Sequence, residues 1–98
     1  MKITKKDSKQ LGEKYNINFK IVPFNEWYFG LNIELEHGKN ISKLTNITND
    51  DFDLTAKIAI AHLIEDNRYY FYLKKMEDKR EKYWKTHKKS SIFIKKEN

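Results

Sequence analysis

The chain has 98 residues, a formal net charge of +6 and no cysteine. That length makes one domain with a modest core, and the missing thiols exclude thiolate metal centres, disulfide scaffolds and cysteine redox chemistry. Hydrophobic residues are 39%, low for a folded domain, but aromatics at 14% restore buried area and separate the chain from a disordered one.

Charge is distributed in blocks. Residues 1–24 carry six lysines against Asp7 and Glu13, and residues 25–66 carry Lys39, Lys43 and Lys57 against eight acids. Residues 67–98 then carry eleven Lys and Arg against four acids. An acidic middle therefore lies between basic flanks. Such blocks are solvated surface or a face for phosphate or an acidic partner. No apolar run approaches the roughly 20 residues that span a bilayer. The opening MKITKKDSKQ has lysines with no apolar stretch behind them, unlike a signal peptide.

One proline and three glycines favour long helices over many strands. Thr4 is a candidate cap for a first helix near 6–15, with Leu11 and Tyr15 on one face. The helix should stop at YNIN, and the alternation in NFKIV suggests a short extended piece. Pro23 suits the first turn of a second helix, near 23–37. Trp27, Leu31, Glu34 and Leu35 share one side of it, and Gly38 stands where a left-handed closing residue belongs. The polar stretch 39–50, rich in Asn and Thr, reads as an ordered loop. A third helix, near 51–65, takes Asp50 or Asp51 as cap. Leu54, Ile58, Ala61 and Glu65 form one row of it, broadened by Ala56, Ile60, Leu63 and Ile64. Asp66 can cap a fourth helix, near 67–87, lined with Tyr69, Tyr70, Tyr72, Leu73, Met76, Tyr83 and Trp84. Its YYFYL stretch is apolar on every side and predicts cover on both faces, from this domain or from a partner. The tail, 88–98, is basic around IFI and is expected to fray. The expectation is one all-α domain, a small bundle of about four helices.

The stretches GLNIELEHG, TNITNDD, TAKIAIAHLIED and YYFYLKKME, in this order, resemble a small uncharacterised domain family of large DNA viruses, tailed phages and some bacteria. The resemblance covers roughly residues 5–84. It departs from the family pattern at Phe52 and Asn67, where that pattern has proline. Both are helix starts, where proline is favoured but not required. The resemblance implies a helical fold and a viral or phage-like setting, in a virion or host cytoplasm, with no catalytic residues to carry over.

ELEHG, residues 34–38, is the densest chemical stretch. Glu34 with His37, and His62 with Glu65, pair a carboxylate and an imidazole at helical spacing. Di-metal bundles use Glu-x-x-His on two helices plus a glutamate from each of two more. Here the second pair runs in reverse order and the extra glutamates have no clear counterpart. No metal, cofactor or small-molecule substrate is expected. Glu34 and Glu36 near a helix C-terminus oppose its dipole, at about 0.3–1 kcal/mol each. Something should offset that cost. Glu34, Glu36, His37 and His62 are therefore expected to latch the 39–50 loop to the helix end through buried hydrogen bonds.

No nucleophile elbow, phosphate-cradling glycine loop or HExxH is present, so an enzyme is not expected. What remains is binding. Tyr83, Trp84, Tyr72 and Met76 are candidate anchors on a protein partner, most naturally a particle or capsid protein. Lys79, Arg80, Lys82, Lys85, Lys88 and Lys89 are candidate contacts to phosphate or to an acidic partner. The first reading is a small structural or accessory component of a viral or phage-like particle. A nucleic-acid-associated protein is second and a metal-dependent enzyme third.

Overall fold

The computed structural model describes residues 2–36 and 49–87. Four helices order the chain: α1 (Lys5–Lys14), α2 (Phe24–Leu35), α3 (Phe52–Glu65) and α4 (Tyr69–Thr86). There is no strand among the described residues, and the fold is the small all-α bundle expected. No helix among them is long and apolar enough to cross a membrane. His37, Gly38, loop residues 39–48 and the tail 88–98 lie outside the described residues.

Thr4 caps α1, its hydroxyl accepting from the Asp7 N–H at 3.0 Å. The helix stops at YNIN because Asn16 takes a left-handed conformation, φ 55°. The Ile17 N–H then reaches the Gly12 carbonyl at 2.8 Å and the Asn16 N–H that of Glu13 at 3.2 Å, a Schellman closure. The extended piece expected in NFKIV is instead a turn. The Asn18 side chain accepts from Lys20 N–H at 3.0 Å, while its carbonyl accepts from Ile21 and Val22. That local capping outweighs a weak alternation that has no partner strand.

Pro23 stands at the N-cap of α2, one position ahead of the first turn. The face of Trp27, Leu31, Glu34 and Leu35 is buried as expected, and Glu26 and Gly30 join it. Asp51 caps α3, accepting from the Leu54 N–H at 3.0 Å. The main row expected for α3 is out of phase, although Ala56, Ile60 and Leu63 from its flank do pack in or against the core. Its buried face is Thr55, Ala56, Ala59 and Leu63. Leu54 is 46% and Ile64 79% exposed, and Ala61 and Glu65 also face outward. The side with the small residues lets α3 lie close to α2, which turns the larger ones away.

Helix α4 begins at Tyr69 rather than Asn67. Asp66 shapes the turn before it, accepting from Arg68 N–H through its side chain at 2.9 Å. Only Tyr70 of α4 is fully buried, with Tyr69 and Leu73 half-buried against the core. The domain itself covers only one face of YYFYL, since Phe71 is 39% and Tyr72 52% exposed. Beyond Leu73 the helix runs clear of the core cluster. Trp27 fills the centre, its indole N–H donating to the Ser8 carbonyl at 2.8 Å. Asn32 clamps the strand-like entry to α1: its side chain accepts from Ile3 N–H and donates to the Ile3 carbonyl.

Candidate functional site

One stripe of α2 organises the polar interior. Glu26, Gly30 and Glu34 fall four residues apart, so they stack on one helical face. All three meet Tyr70 of α4. Glu26, buried, accepts from the Tyr70 N–H at 2.6 Å and from the Phe71 N–H at 3.1 Å. These are the free amides of the first turn of α4, and Arg68 at its N-cap supplies no side-chain acceptor. A carboxylate from another helix thus does the capping. Gly30 lets the Tyr70 ring lie directly on α2, because a Cβ there would collide with the ring. Glu34, 6% exposed, accepts from the Tyr70 hydroxyl at 2.6 Å.

His62 of α3 closes this cluster. Its Nε2 lies 3.6 Å from Glu34 Oε2, and its ring stacks on Tyr69 at 4.3 Å with an interplanar angle of 10°. Burial first, then the hydrogen bond to Glu34, pushes the Tyr70 hydroxyl well above its ordinary range. The cluster can hold three helices in register. Glu34 is closed off from solvent, so chemistry at it would require the α2–α4 seam to open.

The structure brings together Glu34 and His62 from the expected latch, with Tyr70 as a member that sequence reasoning missed. Glu36 is exposed at the end of α2, and His37 lies outside the described residues. Glu65, weighed above as half of a metal pair and set aside, faces solvent at the end of α3. Among the described residues no three His, Asp or Glu side chains gather as metal ligands. Glu26 was also missed. Three residues after Pro23 it reads as an ordinary first-turn acid, and nothing local shows that it reaches another helix.

A second polar knot is exposed. Asp53 Oδ1 accepts from Lys14 Nζ at 2.6 Å and from the Tyr15 hydroxyl at 2.7 Å, tying α1 to α3. The Lys14 ammonium, with the Tyr15 hydroxyl, holds Asp53 below the usual carboxylate range.

The expected anchors on α4 are surface residues. Tyr72 is 52%, Met76 55% and Tyr83 40% exposed, and Trp84 is half-buried but outside the core cluster. Trp84 lies three turns beyond Leu73 on the same side of α4, so it prolongs the core-facing line past the end of the core. Tyr83 packs edge-on to Trp84 at 4.8 Å and stacks on His87 at 3.9 Å. The Arg80 guanidinium sits over both rings, 4.4 Å from Tyr83 and 5.5 Å from Trp84. Lys79, Lys82 and Lys85 are exposed beside them, while Lys88 and Lys89 lie outside the described residues.

Fold and site together define a small helical bundle pinned by buried polar contacts, with a fourth helix that carries an aromatic and basic surface beyond the core. The chain belongs to the family described as protein of unknown function, DUF5661, which it matches over residues 8–79. No match was found among curated proteins or among solved structures.

Proposed function

We propose that this chain is a non-enzymatic binding protein whose distal α4 docks on an acidic surface of a protein partner. It serves, in this reading, as a small structural or accessory component of a viral or phage-like particle, in the virion or host cytoplasm. The observation that carries the docking is the Arg80, Tyr83 and Trp84 group, exposed or half-exposed and outside the core. Trp, Tyr and Arg dominate interface energetics. Here the cation already lies over the rings, so less ordering remains to be done on association. Six Lys and Arg stand against Glu77, Asp78 and Glu81 in residues 74–87, which favours an acidic partner. The particle setting rests on the sequence resemblance to domains of large DNA viruses and tailed phages.

Co-sedimentation with particles of the source tests this reading. Tyr83→Ala with Trp84→Ala should abolish association more completely than Lys85→Ala, Lys88→Ala and Lys89→Ala together. Because the aromatic pair is outside the core, the double variant should keep the fold of the bundle, which circular dichroism and a melt check. The opposite ranking, with tight nucleic-acid binding that collapses as salt rises, would replace the protein partner by nucleic acid.

A further inference from the structure

A groove of about 620 Å³ opens between the N-terminal turns of α1 and α2 and the first half of α4. Its floor is apolar: Tyr28, Phe29 and Phe71. Phe29 is 37% and Phe71 39% exposed, and neither belongs to the core cluster. Glu26 lies at its base, but that carboxylate is turned to the α4 amides. The rim is cationic. Lys5 holds its ammonium group 5.9 Å from the Tyr28 ring centre and Lys75 lies 4.7 Å from that of Phe71; Lys2, outside the groove lining, reaches the same Tyr28 ring at 5.6 Å. Asp78, the acid on this rim, is paired with Lys74 at 3.4 Å. Among the described residues no carboxylate pairs with Lys2, Lys5 or Lys75.

We propose that this groove docks an acidic segment of a partner protein, one large apolar side chain seated among Tyr28, Phe29 and Phe71 and its flanking carboxylates on Lys5 and Lys75. An apolar floor inside a ring of unpaired cations asks for both features in one ligand. A single-stranded nucleic acid would instead need free ring faces for its bases. On Tyr28 and Phe71 those faces are taken. Phe24 stacks on Tyr28 with an interplanar angle of 2°, the lysines lie over it, and Arg68 and Lys75 lie over Phe71 at 4.5 and 4.7 Å. Side-chain insertion at the ring edges leaves these contacts in place. The groove is a different surface from the Arg80, Tyr83 and Trp84 group, so either can fail without the other.

The probe is a synthetic peptide of about twelve residues, one tryptophan or leucine pair flanked by glutamates. Amide chemical shifts of the full chain report where it binds. Saturable shifts are expected at Phe29, Phe71 and Lys75. Phe71→Ala and Lys75→Glu should each weaken binding about tenfold or more, as loss of an anchor or reversal of a rim charge does. Tyr83→Ala with Trp84→Ala should leave the affinity within about twofold, since separated sites act independently. Far-UV circular dichroism checks the fold of each variant, and Lys75→Glu, a surface change, keeps the test usable should Phe71→Ala unfold. The proposal is overturned by the absence of saturable shifts at the groove. It is equally overturned if a peptide with its apolar anchor changed to alanine binds as tightly, or if oligothymidylate binds more tightly through the same residues.

Discussion

Tyr70 is gripped at three points by α2: its N–H by Glu26, its ring by Gly30 and its hydroxyl by Glu34. Each grip has a distinct energetic consequence. Glu34→Gln should destabilise by roughly 1–3 kcal/mol, because a buried charge-assisted hydrogen bond is disturbed. Glu36→Gln, at an exposed position, should stay within about 0.5 kcal/mol. Denaturant melts of both variants compare them directly, and equal midpoints would return Glu34 to a solvated helix end. Tyr70→Phe removes the donor and leaves Glu34 buried, so a similar loss is expected near neutral pH. It should also change the alkaline limb. The hydroxyl is held above its ordinary value of 10, so the unfolded chain ionises there first. The contribution of Tyr70 is intact below pH 10 and is lost as pH rises beyond it. Stability against pH should therefore fall less steeply above 10 in Tyr70→Phe than in the wild type. At Asp53 the direction is reversed. Its folded carboxyl titrates below the ordinary 3.8, so its contribution is present above that value and is lost as pH falls. Asp53→Asn should flatten this acid limb.

At the scale of elements, caps and breakers were legible and partners were not. Thr4, Asp51 and the YNIN stop act through backbone atoms a few residues away, so local sequence contains the whole interaction. The buried face of α2 was legible too, because Trp27, Leu31 and Leu35 are large and regularly spaced. Helix α3 defeated the same reasoning. It is apolar around most of its circumference, and a periodicity that broad does not fix a phase. The deciding property was which side enters the core, where Ala56 and Ala59 are fully buried, and that depends on neighbouring helices. Glu26 and Gly30 were opaque for the same reason, and Glu34 was legible as a buried acid but not as the acceptor for Tyr70: their common partner is 36 to 44 residues away. Such close seams are intolerant of added atoms. Gly30→Ala improves helix propensity yet drives a Cβ into the Tyr70 ring. The clash should win, with a net loss of about 1–3 kcal/mol. A rise in melting temperature would show that Tyr70 has room to move and that the grip on its ring is loose.

For the whole molecule, the division of α4 matters most. Its first turns are bound to α2 and α3 through Tyr69, Tyr70 and Leu73, beyond which helix and core part, and the family match ends at residue 79. The groove floor formed by Tyr28, Phe29 and Phe71 lies inside the matched span; Arg80, Tyr83 and Trp84 lie outside it. The groove floor thus sits on the matched bundle, with the rim residue Lys5 just outside it, and the distal aromatic surface on an arm that extends from it. An 18-residue helix is marginal where tertiary packing does not support it. Intrahelical contacts supply part of what is missing: Lys74 with Asp78, Arg80 over Tyr83 and Trp84, and Tyr83 stacked on His87. Exposed contacts of these kinds contribute only a few tenths of a kcal/mol to about 1 kcal/mol each. Local opening should therefore be easier in the arm than in the turn capped by Glu26. Amide hydrogen exchange should show a gradient along α4, with strong protection from Leu73 to Lys75 that declines steadily beyond Lys79. Addition of the docking partner should raise protection in the arm and leave the first turns unchanged. Uniform strong protection along α4 in the isolated chain would mean that the arm is already packed against something, and would withdraw the distal surface from the partner proposed for it.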